Sequence, residues 1–161
     1  TFIFDVDGVF TDGSVLLLGN GQVVRNVYIK DGYALQLAVK KGYNICIITG
    51  GSSEAVWERF RALGVSDVHM RASNKLKIFE DYLDENDIKE ESVLYMGDDI
   101  PDYESLKLSG VATCPNDAAQ DIKDICHYVS PYNGGRGCVR DVLEQTMRLQ
   151  GKWMDGDAFD W

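Results

Sequence analysis

Apolar residues along this chain gather in short unbroken runs that alternate with stretches of helical periodicity. "TFIFD" at the N-terminus, "YNICIITGG" from Tyr43, "SVLYMGDD" from Ser92, "GVATC" from Gly110 and "HYVSP" from His127 are continuous rather than alternating. That is the pattern of strands covered on both faces of a parallel sheet. "VSDVHM" from Val65 predicts one more short strand. Between these runs the spacing changes. Leu35, Leu37, Ala38 and Val39 predict a helix from Asp31, its N-cap, to a stop at Gly42. Val56, Phe60 and Leu63 share one face of a second helix that Ser52 or Ser53 caps and Gly64 closes. Further helices are predicted from about Asn74 to Glu85, from Asp102, near Ala118, and from roughly Gly137 to Leu149.

One segment breaks the alternation. "SVLLLGNGQVVRNVYI", residues 14–29, places two β-rich arms around Gly19-Asn20-Gly21, which predicts a hairpin after the first strand. Its first arm is apolar at Val15, Leu16, Leu17 and Leu18 without alternation. An arm apolar on both faces calls for a partner, so an oligomer contact is expected. The whole pattern predicts one α/β domain over residues 1–150, a Rossmann-like, doubly wound parallel sheet with right-handed crossovers. Residues 151–161 form a tail whose aromatics, Trp153, Phe159 and Trp161, leave a docking segment and a disordered end both open.

Composition narrows the function. The net charge of −10 argues against a nucleic-acid surface, which calls for basic residues. It leaves room for a small anionic substrate, because a bound divalent cation reverses the local field. No apolar run approaches the roughly 20 residues of a membrane-spanning helix. Cys46, Cys114, Cys126 and Cys138 lack CxxC spacing and read as reduced thiols of a cytoplasmic protein. The first residues already read as a strand, so a short N-terminal extension is expected ahead of them, and no signal peptide is visible.

Three predicted strands end in polar clusters, at Asp5, Thr49 and Asp98. Open α/β sheets bind ligands at the carboxyl ends of their strands. Collected at that edge, Asp5, Asp7, Thr49, Lys75, Asp98, Asp99 and Asp102 form a hard-oxygen set suited to Mg²⁺ shared with a substrate phosphate. His69 and His127 are isolated in sequence and read as structural. With Mg²⁺ present, Asp5 is a candidate nucleophile on phosphorus and Asp7 a candidate proton donor and acceptor. Thr49 and the amides near Gly50 are candidates for the phosphoryl oxygens, and Lys75 for offsetting charge in the transition state. Singly, each has a bland reading: Asp5 and Asp7 a turn, Thr49 and Asp102 helix caps, Lys75 a solvated charge, Arg59 a surface pair with Glu54 or Glu58, Arg136 a loop residue. Jointly they favour an enzyme.

"DVDGVFTDG" from Asp5, "ITG" ending at Gly50, "NKL" around Lys75 and "GDDIPD" from Gly97 resemble, in order, the four motifs of the haloacid dehalogenase superfamily of phosphatases. The resemblance implies Asp5 as nucleophile, Asp7 as acid/base, and Thr49 and Lys75 as phosphate ligands. It implies Mg²⁺ held by Asp5, the Asp7 carbonyl and Asp98, with Asp99 and Asp102 in support.

"DGVFTDG" running into the hairpin, "NVYIKDGYAL" and "GGRGCVRDVLEQTMRLQGK" resemble the capless branch that hydrolyses 3-deoxy-D-manno-octulosonate (KDO) 8-phosphate. By that resemblance the chain has no cap domain and forms a homotetramer in which a neighbour partly covers each site. Substrate contacts are implied at Asp7, Tyr28, Ile29, Lys30, Asp31, Gly32, Gly50, Gly51, Arg59, Lys75 and Arg136, with Gly135 and Arg136 reaching toward a neighbour. Gly51 departs from the branch, whose members on eight- and nine-carbon substrates carry Arg and Glu there. A nine-carbon keto-acid sugar 9-phosphate therefore stays as the alternative substrate. Asp7 and Asp98 count against carbon–halogen hydrolysis, the place of Asp5 after the first strand counts against an aspartate-phosphorylated receiver, and retention of Asp5, Asp7 and Asp98 counts against a phosphatase-like assembly module.

Overall fold

The computed structural model describes residues 1–160; Trp161 lies outside them. Six strands form one parallel sheet: β1 (Phe2–Phe4), β4 (Ile45–Ile48), β5 (Asp67–His69), β6 (Leu94–Met96), β7 (Val111–Cys114) and β8 (Tyr128–Val129). A separate two-stranded antiparallel hairpin joins β2 (Leu16–Leu17) to β3 (Val23–Val24). The helices are α1 (Ile29–Lys40), α2 (Glu54–Ala62), α3 (Lys75–Glu85), α4 (Tyr103–Leu108), α5 (Gln120–Lys123) and α6 (Cys138–Leu149).

Strand order is β5-β4-β1-β6-β7-β8, so the chain winds outward from β1 in one direction and then in the other. The reversal lies at β1, between β4 and β6, where a doubly wound sheet opens a crevice. Side chains alternate across the sheet. Phe2, Phe4, Ile45 and Ile47 join one core with Ala34, Leu35, Phe60, Val139 and Leu143 from α1, α2 and α6. Ile3, Cys46 and Ile48 join the other with Phe79, Tyr82, Leu106 and Ile122 from α3, α4 and α5. Burial on both faces explains the unbroken apolar runs.

The N-cap of helix α1 lies three residues earlier than the sequence suggests. It is Tyr28, and Asp31 lies inside the first turn, fully buried. The Asp31 carboxylate turns away from its own helix and accepts the Arg140 N–H at 2.8 Å, capping the first turn of α6. This pairing joins two helices that already pack along their length. Ser53 precedes α2 but supplies no side-chain cap. Asn74 does cap α3, accepting the Lys77 N–H at 3.1 Å.

The hairpin arms leave Leu16 and Leu17 61% and 73% exposed, with Val15, Leu18, Val23 and Val24 exposed around them. The tail after α6 turns back onto the domain. Trp153 is buried edge-on to Tyr33 beneath the guanidinium of Arg140, and Lys40 donates to the Asp160 carbonyl at 2.9 Å. Phe159 stays exposed. The four cysteines are free thiols. Among the described residues no helix is long and apolar enough to cross a membrane.

Candidate active site

Register brings the acids together. Phe4 pairs with Ile47 on one side and Met96 on the other, so the residues just past these three leave the sheet at one edge. Asp5 follows Phe4 directly, and its N–H donates to the Met96 carbonyl at 3.0 Å. Thr49 and Asp98 each lie two residues past the paired position. Beyond Asp5 the chain turns tightly at Gly8, whose φ of +87° suits glycine. A Cβ at Gly8 would collide with the Asp98 carboxylate, so the missing side chain lets the fourth motif close over the first. Segment 134–138 supports this turn from behind: Gly135 N–H and the Cys138 thiol both donate to the Val9 carbonyl, at 2.9 and 3.2 Å.

Asp5, Asp98 and Asp102 each offer a carboxylate oxygen within 4.8 Å of the others. Lys75, at the start of α3, extends beneath them and places Nζ 2.9 Å from Asp5 and 2.8 Å from Asp102. The Tyr95 hydroxyl donates to the same Asp102 oxygen at 2.8 Å. Three carboxylates thus face one cation, and Asp5 and Asp102 are buried. Burial first and Asp102 second push the Asp5 carboxyl up to about 7, against the pull of Lys75. Burial, then Asp5 and Asp102, push Asp98 up to about 8. For Lys75 burial acts downward, but the two carboxylates outweigh it and hold the ammonium above its usual range. Such a site lacks positive charge, and its donors are all hard oxygens. A divalent cation such as Mg²⁺ fits that chemistry.

Two expectations about the supporting acids change. Asp102 reaches the cluster itself and makes no side-chain cap for α4. Asp99 caps the short 3-10 turn Ile100–Asp102 ahead of α4, accepting the Ile100 N–H at 2.8 Å, and its side chain is not one of the clustered three. Thr49 is buried, and its Oγ1 accepts the Gly51 N–H at 3.1 Å, leaving its own proton for another acceptor.

Asp7 carries a partner that the sequence reading missed. Arg25, just past β3 on the hairpin, grips it with one edge of its guanidinium: Nε to Oδ1 at 2.6 Å and Nη2 to Oδ2 at 3.1 Å. Next to this pair opens a cleft of about 690 Å³ between the hairpin and the start of α2, with Gly50, Gly51, Ser52 and Arg59 in its wall. Arg59 makes no ion pair among the described residues, so the surface-pair reading with Glu54 or Glu58 is not what the structure has.

The 28–32 segment divides. Gly32 lies under Arg59, whose Nη2 would be 2.9 Å from a Cβ there. Ile29 is exposed. Asp31 is turned inward and caps α6. Tyr28 and Lys30 line a second cleft of about 480 Å³ along α6, together with Arg136. Arg136 also lies 3.6 Å from Asp12 of its own chain. His127 is structural, its Nδ1 accepting the Ala112 N–H at 2.9 Å, and His69 stands edge-on to Tyr82.

Known proteins resemble this chain in sequence and fold. Residues 22–110 match the haloacid dehalogenase-like hydrolase family. The chain is 35% identical over 150 residues to the 3-deoxy-D-manno-octulosonate 8-phosphate phosphatase KdsC of Escherichia coli K12, covering 93% of this chain and 80% of that one. The crystal structure of the phosphatase of the same name from Yersinia pestis superposes with a TM-score of 0.91 at 30% identity, over 94% of this chain and 82% of that one. The corresponding Moraxella catarrhalis enzyme, solved with magnesium, phosphate and KDO, gives a TM-score of 0.90 at 29% identity, over 93% and 86%. With its parallel sheet, its acids at the β1 mouth and these matches, the chain belongs to the haloacid dehalogenase-like hydrolases.

Proposed function

We propose that this protein is a Mg²⁺-dependent phosphomonoesterase that converts KDO 8-phosphate to KDO and phosphate, a step in making lipopolysaccharide precursors. The observation that carries the reading is the 35% identity to an enzyme of that activity across 93% of the chain. The cluster of Asp5, Asp98 and Asp102 over Lys75 supports it with chemistry. Asp5, Asp98 and the Asp7 carbonyl would hold the cation, and Asp102 would back them. When bound, the cation neutralises the carboxylates and draws charge from the phosphoryl oxygens.

The chain's own groups then divide the reaction. An Asp5 oxygen attacks phosphorus in line as the bond from phosphorus to the sugar oxygen breaks. Asp7 gives its proton to that departing oxygen. The result is an aspartyl phosphate on Asp5 and free sugar acid. Water next attacks the same phosphorus while Asp7 takes its proton, and phosphate leaves as the Asp5 carboxylate is restored. The Thr49 hydroxyl and the Gly50 N–H bind phosphoryl oxygens, and the third proton of Lys75, beyond those used by Asp5 and Asp102, faces the same charge.

The exposed Leu16, Leu17 and Val24 of the hairpin support assembly into a homotetramer, in which the 28–32 segment and Arg136 would meet a neighbour's site. The four free thiols support a cytoplasmic location. The test is kcat/KM on KDO 8-phosphate, on the nine-carbon keto-acid 9-phosphate and on a hexose phosphate. Preference for the eight-carbon acid is expected. Preference for the nine-carbon acid would move the assignment to that substrate, and preference for hexose phosphate would overturn the branch.

A further inference from the structure

Arg25 is the one strong cation that the hairpin brings to the strand ends. Its side chain is only 12% exposed, unusual for an arginine on a short hairpin, and Asp7 holds it through two hydrogen bonds. A guanidinium carries five N–H donors. Nε and one N–H of Nη2 serve Asp7, and the others have no acceptor among the described residues. The adjacent wall is bare: a Cβ at Gly51 would lie 3.6 Å from Arg25 Nη2, 3.5 Å from Asp7 Oδ2 and 3.3 Å from Thr49 Oγ1. The absent side chain therefore leaves the edge of the guanidinium open to the cleft that Arg59 lines from α2.

We propose that Arg25 determines substrate specificity by receiving, through its unused N–H edge, a carboxylate on the organic portion of the phosphate ester. Asp7 acts as the anchor that fixes the fork, and Gly51 as the opening through which the ligand reaches it. A planar fork held at one edge is preorganised for a second carboxylate at the other, which a lysine ammonium is not. The inference rests on the reading of the substrate as a phosphorylated sugar acid. It adds a residue from the hairpin to a site otherwise built from strand ends, α2 and α3.

The test compares the wild-type Mg²⁺ enzyme with Arg25→Met and Arg25→Lys on KDO 8-phosphate and on ribose 5-phosphate, which has no carboxylate. Binding of unphosphorylated KDO is followed by calorimetry in parallel. For Arg25→Met, kcat/KM on KDO 8-phosphate should fall by about 30-fold or more, chiefly through KM. The loss on ribose 5-phosphate, which reads only the effect of freeing Asp7, should be at least about tenfold smaller, and the variant should lose KDO binding. Arg25→Lys, which keeps the charge and a similar volume, should fall between and serves if the Met variant is unstable. Equal losses on both substrates would mean that Arg25 only steadies Asp7, and would overturn the assignment alone. Unchanged activity on both would do the same. A wild-type enzyme with no preference for the carboxylated ester would overturn the substrate reading, and this assignment with it.

Discussion

Lys75 and Asp102 meet at 2.8 Å below the mouth of the sheet, their side chains 7% and 1% exposed. Neither helix α3 nor the turn before α4 needs this pair for its own hydrogen bonds. Its consequence is felt one residue away, because the same Nζ lies 2.9 Å from Asp5. Asp102 thus holds a buried ammonium where it can face both the proposed nucleophile and an incoming phosphate.

Replacing Lys75 with Met should lower kcat/KM by at least about 100-fold, the scale of removing one preorganised donor. It also leaves three crowded carboxylates without their cation. In chelator the variant should lose about 3 kcal/mol of stability, as for a buried ion pair deprived of one partner. Added Mg²⁺ should recover much of that stability without recovering turnover. Phosphate release and thermal melts with and without Mg²⁺ check both halves.

Metal binding should grow with pH in a defined window. Burial first, and then the neighbouring carboxylates, push Asp5 up to about 7 and Asp98 up to about 8, well above the usual carboxylate range. Without metal the native state therefore holds protons that the unfolded chain has released, and stability falls as pH rises from about 4 through 8. Mg²⁺ takes the ionised forms, and protons compete with it below that range. Its increment in Tm should increase from pH 6 to pH 8. Saturation at about 100 times Kd corresponds to about 2.7 kcal/mol. An increment that stays flat or shrinks with pH would contradict the cluster as the metal site.

Asp31 gives a second pH signature, separate from the metal. Burial, offset in part by the N–H groups of Arg140 and Gly137, pushes its carboxyl up to about 6. The folded value exceeds the unfolded one, so the stability this group contributes is full below about pH 4 and is lost as pH rises through 6. A gap of roughly two units is worth ~3 kcal/mol at pH 7. Asp31→Asn keeps an oxygen for the Arg140 N–H and removes the charge. Its unfolding free energy should gain on the wild type steadily between pH 4 and 7. Asp31→Ala should follow the same pH trend, displaced downward by about 1 kcal/mol for the lost cap. Denaturant melts across that range measure both.

The hairpin should prove to be an assembly surface. Leu16 and Leu17 are 61% and 73% exposed, and burial of such side chains is worth about 1.5–3 kcal/mol each. The double variant Leu16→Lys, Leu17→Lys should reduce the mass seen by light scattering from a tetramer to a monomer or dimer. Its kcat/KM should fall as the neighbour's cover is lost. A wild-type protein that is monomeric at micromolar concentration would contradict this.

Much of this arrangement was legible in the chain, for a physical reason. A strand covered on both faces must be apolar throughout, so β1, β4, β6 and β7 announced themselves as unbroken runs, and the acids just past β1 and β6 marked the sheet's binding edge. What stayed hidden were contacts that depend on how elements pack. Arg25 lies 18 residues from Asp7, and only the path of the hairpin brings them together. Asp31 looked like the N-cap of its own helix because aspartate before an apolar periodic stretch usually is one. Its real partner, Arg140, comes from a helix 109 residues later. Asp99 and Asp102, read together as supporting acids, separate in the fold for a similar reason: Asp102 joins the cluster and Asp99 caps a turn. In "GDDIPD" the spacing alone does not say which acid folds under the loop and which caps it.

The central claim is that Asp5 attacks phosphorus. Its most direct test is phosphate release from KDO 8-phosphate by Mg²⁺-loaded wild-type enzyme and by Asp5→Asn, with matched circular dichroism and mass. The account predicts turnover by the wild type and none by Asp5→Asn, because an amide neither attacks phosphorus nor binds the cation as a carboxylate does. Turnover by Asp5→Asn at the wild-type rate would contradict it.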